Sequence, residues 1–343
     1  MGTAGRWGFG FCVMISTGGV AQAAEPEPSS PPAIQPAVKA GEPAAAAPPK
    51  EQAPQEQAPK APPRIPSDRF TYDTLVGARL NPLGLEVAYN LVYRHRLYAS
   101  DSLALRDNAI SIGISPTVSP ANARMGGFIE VKPLSLLTLS AGFHQVGHFG
   151  SFNQIQTFAS ADEDYSDSAL KKGTERNANH PRGGIEANAR ATALVKLGPI
   201  VLRDDVLFTY TNLGLEEERP LYYHIRFDVL TQDKSWFVHN DTDLVYLSDF
   251  GLTAGARLSL SHSFIDEANL GDAEDRQTIL RLGPLAAYTF FDEPGASFNK
   301  PTLLAIAGWW LMHPFRTGED VSQAFPYIAL GFRFEGDLFR SAD

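Results

Sequence analysis

The sequence is nearly without cysteine: Cys12 is the only one in 343 residues. That excludes a disulfide framework, a Cys-x-x-Cys redox pair and a Cys/His zinc site. Phe11, not a small residue, precedes Cys12, which argues against a lipoprotein signal. No stretch past the N-terminus holds about 18 consecutive apolar residues, so a polytopic helical membrane protein is excluded. Positive charge is also in short supply. Lys and Arg number 29 against 39 Asp and Glu, a formal net charge of −10, which argues against nucleic acid as a partner. With 43% hydrophobic and 20% charged residues, the chain as a whole is not disordered.

What is present falls into three parts. Residues 1–23 have the layout of a secretory signal. Arg6 supplies a positive start, Trp7 to Val20 an apolar, glycine-broken stretch, and Ala21-Gln22-Ala23 a small-x-small site that places cleavage near Ala23. Residues 24–66 are rich in Pro and Ala and have no aromatic residue, and Glu51-Gln52-Ala53-Pro54 recurs as Glu56-Gln57-Ala58-Pro59. Such a segment buries too little apolar surface to offset its ordering entropy. It reads as a disordered, extended spacer, rising about 3.1 Å per residue where it is polyproline II. It is either a plain tether or an arm that contacts peptidoglycan or a periplasmic protein.

Residues 67–343 alternate with a period of two. Leu85, Val87, Tyr89, Leu91 and Tyr93 oppose Glu86, Ala88, Asn90, Val92 and Arg94. Ile185 to Leu197 alternates in the same way with Glu186, Asn188, Arg190 and Lys196, and so does Leu252 to Phe264 with Arg257 and three serines. Leu221, Tyr223, Ile225, Phe227 and Val229 face away from Tyr222, His224, Arg226 and Asp228, which reads as one more strand. Further strands fit near 136–146, 201–212, 236–247, 277–291, 302–312 and 325–335. Most of these runs are longer than the usual 5–6 residues and suit a tilted bilayer crossing of about 9–11. Short turns at Lys132-Pro133-Leu134, Leu197-Gly198-Pro199 and Gln232-Asp233-Lys234 contrast with long polar loops at 147–182, 213–219, 265–275 and 314–323. Short turns at one end and long loops at the other are the pattern of a membrane barrel.

The chain resembles the outer-membrane β-barrel class of Gram-negative bacteria over residues 68–343. The segment Phe325-Pro326-Tyr327-Ile328-Ala329-Leu330-Gly331-Phe332-Arg333-Phe334 is similar to the alternating last strand that such proteins present to the barrel-assembly machinery. It departs from the class in running on from Glu335 to Asp343, with Phe339 as a second terminal aromatic. The resemblance implies an all-β fold, a transmembrane antiparallel up-and-down barrel of ten to twelve strands. It also implies both chain ends in the periplasm, and outer-membrane lipid and lipopolysaccharide as surroundings. Ten strands follow if 108–131 is one broken strand and 68–80 does not span. Twelve follow if 68–80 spans and Pro116 to Asn122 is a turn.

The residues expected to line the lumen are Glu86, Asn90, Arg94, Arg96, Glu186, Asn188, Arg190, Lys196, His224, Arg226, Asp228, Arg257, Arg281 and Arg333. Their basic excess fits a narrow, weakly anion-preferring channel. The same residues equally fit a structural barrel whose lumen is filled by paired charges. Tyr89, Tyr93, Tyr98, Tyr210, Tyr223, Tyr246, Tyr288, Trp309, Trp310 and Tyr327 read as interfacial girdles.

A lipid- or lipopolysaccharide-modifying enzyme is the second reading, and it needs a nucleophile beside a base. His144 and His148 share a face, with Ser151 and Asn153 just beyond, but outer-membrane phospholipases place Ser two residues after His. His262 points away from Ser261 and Ser263. Catalysis is therefore the weaker reading. A third is a surface receptor or adhesin using loop 147–182. That loop's Asp162, Glu163, Asp164 and Asp167 lack the EF-hand spacing and read as a solvated surface. No cofactor or metal is expected.

Overall fold

The computed structural model describes residues 66–340 except 101, 103, 273 and 318–324. The signal and the Pro/Ala-rich spacer thus lie outside the described residues, apart from Pro66.

The wall begins with β1 (Asp68–Leu80) and β2 (Gly84–His95). It continues through β3 (Ala109–Ile114) and β4 (Thr117–Val118), then β5 (Asn122–Leu134) and β6 (Leu137–Phe149). Between β6 and the next wall strand lie the short β7 (Thr157–Phe158) and the helix α1 (Asp167–Glu175). Then come β8 (Pro181–Leu197) and β9 (Ile200–Asn212), followed by a hairpin, β10 (Leu221–His224) and β11 (Val229–Gln232). The wall resumes with β12 (Ser235–Leu247) and β13 (Leu252–Ser263), and one helical turn, α2 (Glu267–Leu270), follows. The last wall strands are β14 (Thr278–Thr289), β15 (Asn299–Met312) and β16 (Tyr327–Arg340).

Thirteen strand segments bond into one antiparallel sheet. Because β3 and β4 both lie between β2 and β5, they are one strand broken at Ser115-Pro116, and the wall has twelve. Proline has no N–H to give the ladder, which accounts for the break. The sheet closes where β1 pairs with β16, from Arg69 opposite Arg340 to Leu80 opposite Ile328. Closure leaves no free edge. Of the two strand counts, twelve holds, with the turn at 119–121.

The two faces of the wall are chemically inverted relative to a soluble barrel. Ile112, Ile129, Phe143, Leu202, Leu244, Leu282, Leu303 and Leu330 are exposed on the outside. Their strand neighbours Ser111, Glu130, His144, Arg203, Asp243 and Arg281 are buried inside. Tyr72, Tyr89, Phe334, Phe298 and Phe291 gather on the outer face toward the end where β1 begins and β16 ends. Tyr223, Trp310 and Tyr327 do not join any girdle, since all three are buried inside.

The turn at Leu197-Gly198-Pro199 is where expected, and Gly198 has φ +59°, which glycine adopts without steric cost. The loops at the opposite end are uneven. Connections 150–180, 213–234, 264–277 and 313–326 are long, whereas 81–83 and 119–121 are tight turns that leave one side of the rim low.

The segment 221–229 corrects the sequence reading. It is not a wall strand but the first half of the β10–β11 hairpin, and every residue of both hairpin strands is buried. A wall strand buries one face only; this one is enclosed by protein on both. The turn expected at Gln232-Asp233-Lys234 accordingly lies inside the long 213–234 connection rather than between two wall strands. Asp233 is buried there and accepts from the backbone N–H groups of Leu213 and Leu215 at 2.5 and 2.9 Å.

A closed wall of this kind is expected to survive SDS at room temperature and open only on boiling. Electrophoresis of unheated and boiled samples should therefore give two mobilities. A single, unmoved band would count against closure.

Candidate functional site

Three layers of chemistry occupy the interior. The first is a ladder of alternating charge across β8, β9, β12 and β13. Arg190 Nε lies 3.0 Å from Asp205, which also pairs with Arg203. Arg203 reaches Asp243 at 3.2 Å. Arg257 binds Asp243 through Nε at 2.6 Å and Nη2 at 2.8 Å, and its Nη1 meets Asp241 at 3.1 Å. Ser259 donates to Asp241 at 2.5 Å. Three arginines thus face three aspartates, all at least nine-tenths buried, and the ladder is neutral. Register explains it: Asp241 stands opposite Asp205, and Asp243 opposite both Arg203 and Arg257.

The second layer lies toward the end where β1 begins and β16 ends. Arg333 binds Asp73 through Nε at 2.6 Å and Glu335 at 3.3 Å, and Glu335 also meets Lys300 at 3.2 Å. Arg94 faces Glu130 at 3.4 Å, and Arg69 meets Asp337 at 2.6 Å. At the other end of these strands, near the long loops, Arg281 lies over the Tyr327 ring, 4.2 Å from its centroid.

The third layer is the β10–β11 hairpin and its anchors. Arg226 faces Glu86 at 3.8 Å, and its carbonyl accepts from Arg79 at 2.8 Å. Burial draws the Arg226 guanidinium down, to about 10, against the pull of Glu86, and it stays charged at neutral pH. Phe227 packs on Phe237 and His239, and its carbonyl accepts from Ser261 at 3.2 Å. His224 stacks beside Phe227 and Phe237, and burial holds its imidazole well below the usual histidine range.

Asp228 sits at the hairpin tip with φ +57°, a left-handed backbone that Asp tolerates better than most residues. Its carboxylate accepts from Tyr223 Oη at 2.5 Å, Trp310 Nε1 at 3.0 Å and Arg316 Nε at 3.2 Å. His313 Nε2 lies 3.3 Å away. Burial opposes the Asp228 charge, but His313, Arg316 and Tyr223 overcome it and hold the carboxyl below its ordinary range. Burial and the adjacent Asp228 push the Tyr223 hydroxyl well up.

Above the tip, the long loops form a small core of their own from Phe158, Tyr165, Leu170, Leu221, Leu230, Ile265 and Leu270. Ser166 caps α1 by accepting from Ala169 N–H at 3.3 Å. Asp167, in the first turn of α1, binds Arg316 at 2.7 Å and so ties the helix to the hairpin anchor. A cavity of about 730 Å³ opens between α1, the hairpin tip and the 81–83 turn.

The sequence-derived lumen set is therefore placed as follows. Glu86, Asn90, Arg94, Glu186, Asn188, Arg190, Arg257, Arg281 and Arg333 belong to inward-facing wall positions. His224, Arg226 and Asp228 are inside, but on the hairpin. Arg96 lies beyond the end of β2, and Lys196 is exposed beside the 198–199 turn. Asp205, Asp241, Asp243, Asp73 and Glu335, which neutralise the arginines, were absent from that set.

The catalytic candidates are not brought together. Ser151 donates to the Pro120 carbonyl at 3.1 Å, and His148 contacts Gln154 at 3.0 Å. His144 meets Ser115 at 2.7 Å and Asn188 at 3.2 Å, a Ser–His–Asn chain that sequence reasoning missed. All three residues are buried. Gly126 and Gly142 close on the imidazole: a Cβ added to Gly126 would fall 2.6 Å from His144 Cδ2, and one on Gly142 3.0 Å from Cε1. That packing leaves no room for a substrate, so the chain of bonds is a packed structural element. The loop carboxylates are likewise engaged. Asp164 accepts from Ser166 N–H at 2.9 Å, and Glu163 pairs with Arg219 at 3.3 Å. Among the described residues, no three or more His, Cys, Asp or Glu side chains gather at metal-binding distance.

Compared by sequence, the chain matches no family model and no curated protein. Among solved structures it is similar to CdiB from Acinetobacter baumannii (8% identity, TM-score 0.38), with 79% of this chain covering 60% of that one. It is similar to the KdgM porin (8% identity, TM-score 0.34), with 80% of this chain covering 99% of that one. It is also similar to an outer membrane channel from Pseudomonas putida F1 (9% identity, TM-score 0.36), with 80% of this chain covering 96% of that one. Likenesses this slight carry nothing about activity; the closed twelve-strand barrel rests on this chain's own strand pairing.

Proposed function

We propose that this chain is an outer-membrane β-barrel with a sealed lumen, a scaffold that holds a folded cap of loops at one end rather than a channel. The membrane reading is supported by the outward surface, largely apolar around the wall, with Asp204, Asn240 and Thr242 bonded to one another as a polar exception. Water would not tolerate so large an apolar surface on a closed barrel. The sealed reading is carried by the β10–β11 hairpin, buried on both faces and tied to β2, β12, β13 and β15. The lumen arginines, taken alone, favour anions. Paired as they are with Asp205, Asp241, Asp243, Asp73 and Glu335, they act as cross-wall ties instead.

Conductance in a planar bilayer tests this. Folded protein is expected to stay silent, and a variant with residues 216–231 replaced by a short Gly-Ser link is expected to give discrete steps. Steady, anion-preferring steps from the unaltered protein would overturn the sealed reading.

A further inference from the structure

We propose that the low rim beside the 81–83 turn is a lateral binding site for the acyl chain of a membrane lipid. The inference rests on the barrel lying in a membrane, not on its lumen being sealed. A second cavity, of about 530 Å³, lies here, within the usual range of ligand pockets. Its lining comes from both faces of the same wall. Leu75, Leu304 and Ile306 face inward, whereas Leu80, Leu85 and Leu330 are exposed on the outside. An apolar path thus runs from the lipid-facing surface, over the rim, to the interior.

The rim is low here because two neighbouring connections are tight. The turns 81–83 and 119–121 cap adjacent strands, since β2 pairs with β4. The inner wall is also bare at this point. Gly77 stands opposite Gly331 across the β1–β16 seam, and both positions face inward. A Cβ added to Gly77 would meet nothing nearer than the Leu330 carbonyl, 3.8 Å away. Glycine inside a strand weakens it and often marks a place where a ligand or another backbone approaches closely. Gly77 marks such a place beside open space, whereas a Cβ on its partner Gly331 would already fall 3.3 Å from Leu75 Cδ1.

The chemistry selects the occupant. A peptide strand finds no edge, because β1 is paired on both sides. A charged solute finds no free partner: Arg79 donates to the Arg226 carbonyl, and Glu86 faces Arg226. What remains is apolar and continuous with the surface that lipid chains already cover. Leu83 and Phe152, exposed at 67% and 59%, flank the entrance and also line the mouth cavity.

The test is photolabelling of the full barrel in phosphatidylcholine vesicles doped with a phosphatidylcholine that carries a diazirine on one acyl chain. Adducts are mapped by peptide mass spectrometry. Outward residues such as Leu139 and Leu202 should be labelled, and so should inward Leu75, Leu304 and Ile306. Gly77→Leu fills the bare wall, and Leu83→Asp charges the entrance without touching the wall. Each should cut inward labelling about tenfold or more, because every methylene shut out of an apolar site weakens binding about fourfold. Outward labelling should stay unchanged. Adducts on outward residues alone, or inward adducts indifferent to both variants, would overturn the lateral site. Loss of outward adducts as well would instead overturn the membrane reading.

Discussion

Asp243→Ala is expected to lower the unfolding free energy of the barrel by about 3–5 kcal/mol, the range seen when one partner of a buried ion pair is removed. Asp243 is fully buried and is shared by Arg203 and Arg257. Its loss leaves two guanidinium groups with one carboxylate fewer, in a space already filled by side chains. The remaining partners are Asp205 for Arg203 and Asp241 for Arg257, and each of those serves another residue too, Arg190 and His239. The charge deficit therefore spreads along the ladder instead of being absorbed at one pair. Urea unfolding of vesicle-inserted protein, followed by circular dichroism, measures the loss. Asp204→Ala is the control. Asp204 faces outward and accepts from Asn240 and Thr242, at 2.9 and 2.7 Å. Its removal should cost no more than about 1 kcal/mol, since relief of a carboxylate on the lipid face offsets part of the lost hydrogen bonding. A loss for Asp243→Ala no larger than the control's would mean that water enters the ladder and screens it.

The same strands show what sequence can and cannot convey. Wall strands such as β2, β8 and β13 were legible because lipid and lumen impose opposite chemistry on alternate residues. In β9 and β12 that contrast fails. The doublet Asp204-Asp205 puts a carboxylate on each face, and Asn240 to Asp243 is polar on both. The acidic half of the ladder was hidden there, and the arginines alone suggested an anion path. Hairpin 221–232 failed for the opposite reason. Leu221, Tyr223, Ile225, Phe227 and Val229 repeat with a strand's period, but period reports alternation, not what lies against each face. Burial by the lumen wall on one side and by the loop core on the other cannot be told from burial by lipid. Ser115 and His144 are 29 positions apart, and only the β3–β5–β6 register brings them together.

Asp228→Ala is expected to release the hairpin while leaving the wall closed. The carboxylate is the common acceptor for Tyr223, Trp310 and Arg316, and its removal leaves buried donors unpaired. A loss of about 3 kcal/mol in local stability corresponds to about a hundredfold rise in hairpin opening. Amide exchange in 221–232 should quicken by that factor, while exchange in β12 and β13 should not change. Brief conductance bursts should accompany it in a bilayer. The pH dependence carries its own sign. The folded-state pKa of Asp228 is depressed, so the anchor contributes its stability above the ordinary carboxylate value, about 3.9, and loses it as pH falls from there through the depressed value. Unaltered protein should therefore hold its hairpin, and its silence, at pH 5. Opening that begins between pH 7 and pH 5 would overturn Asp228 as the group whose ionisation governs the anchor.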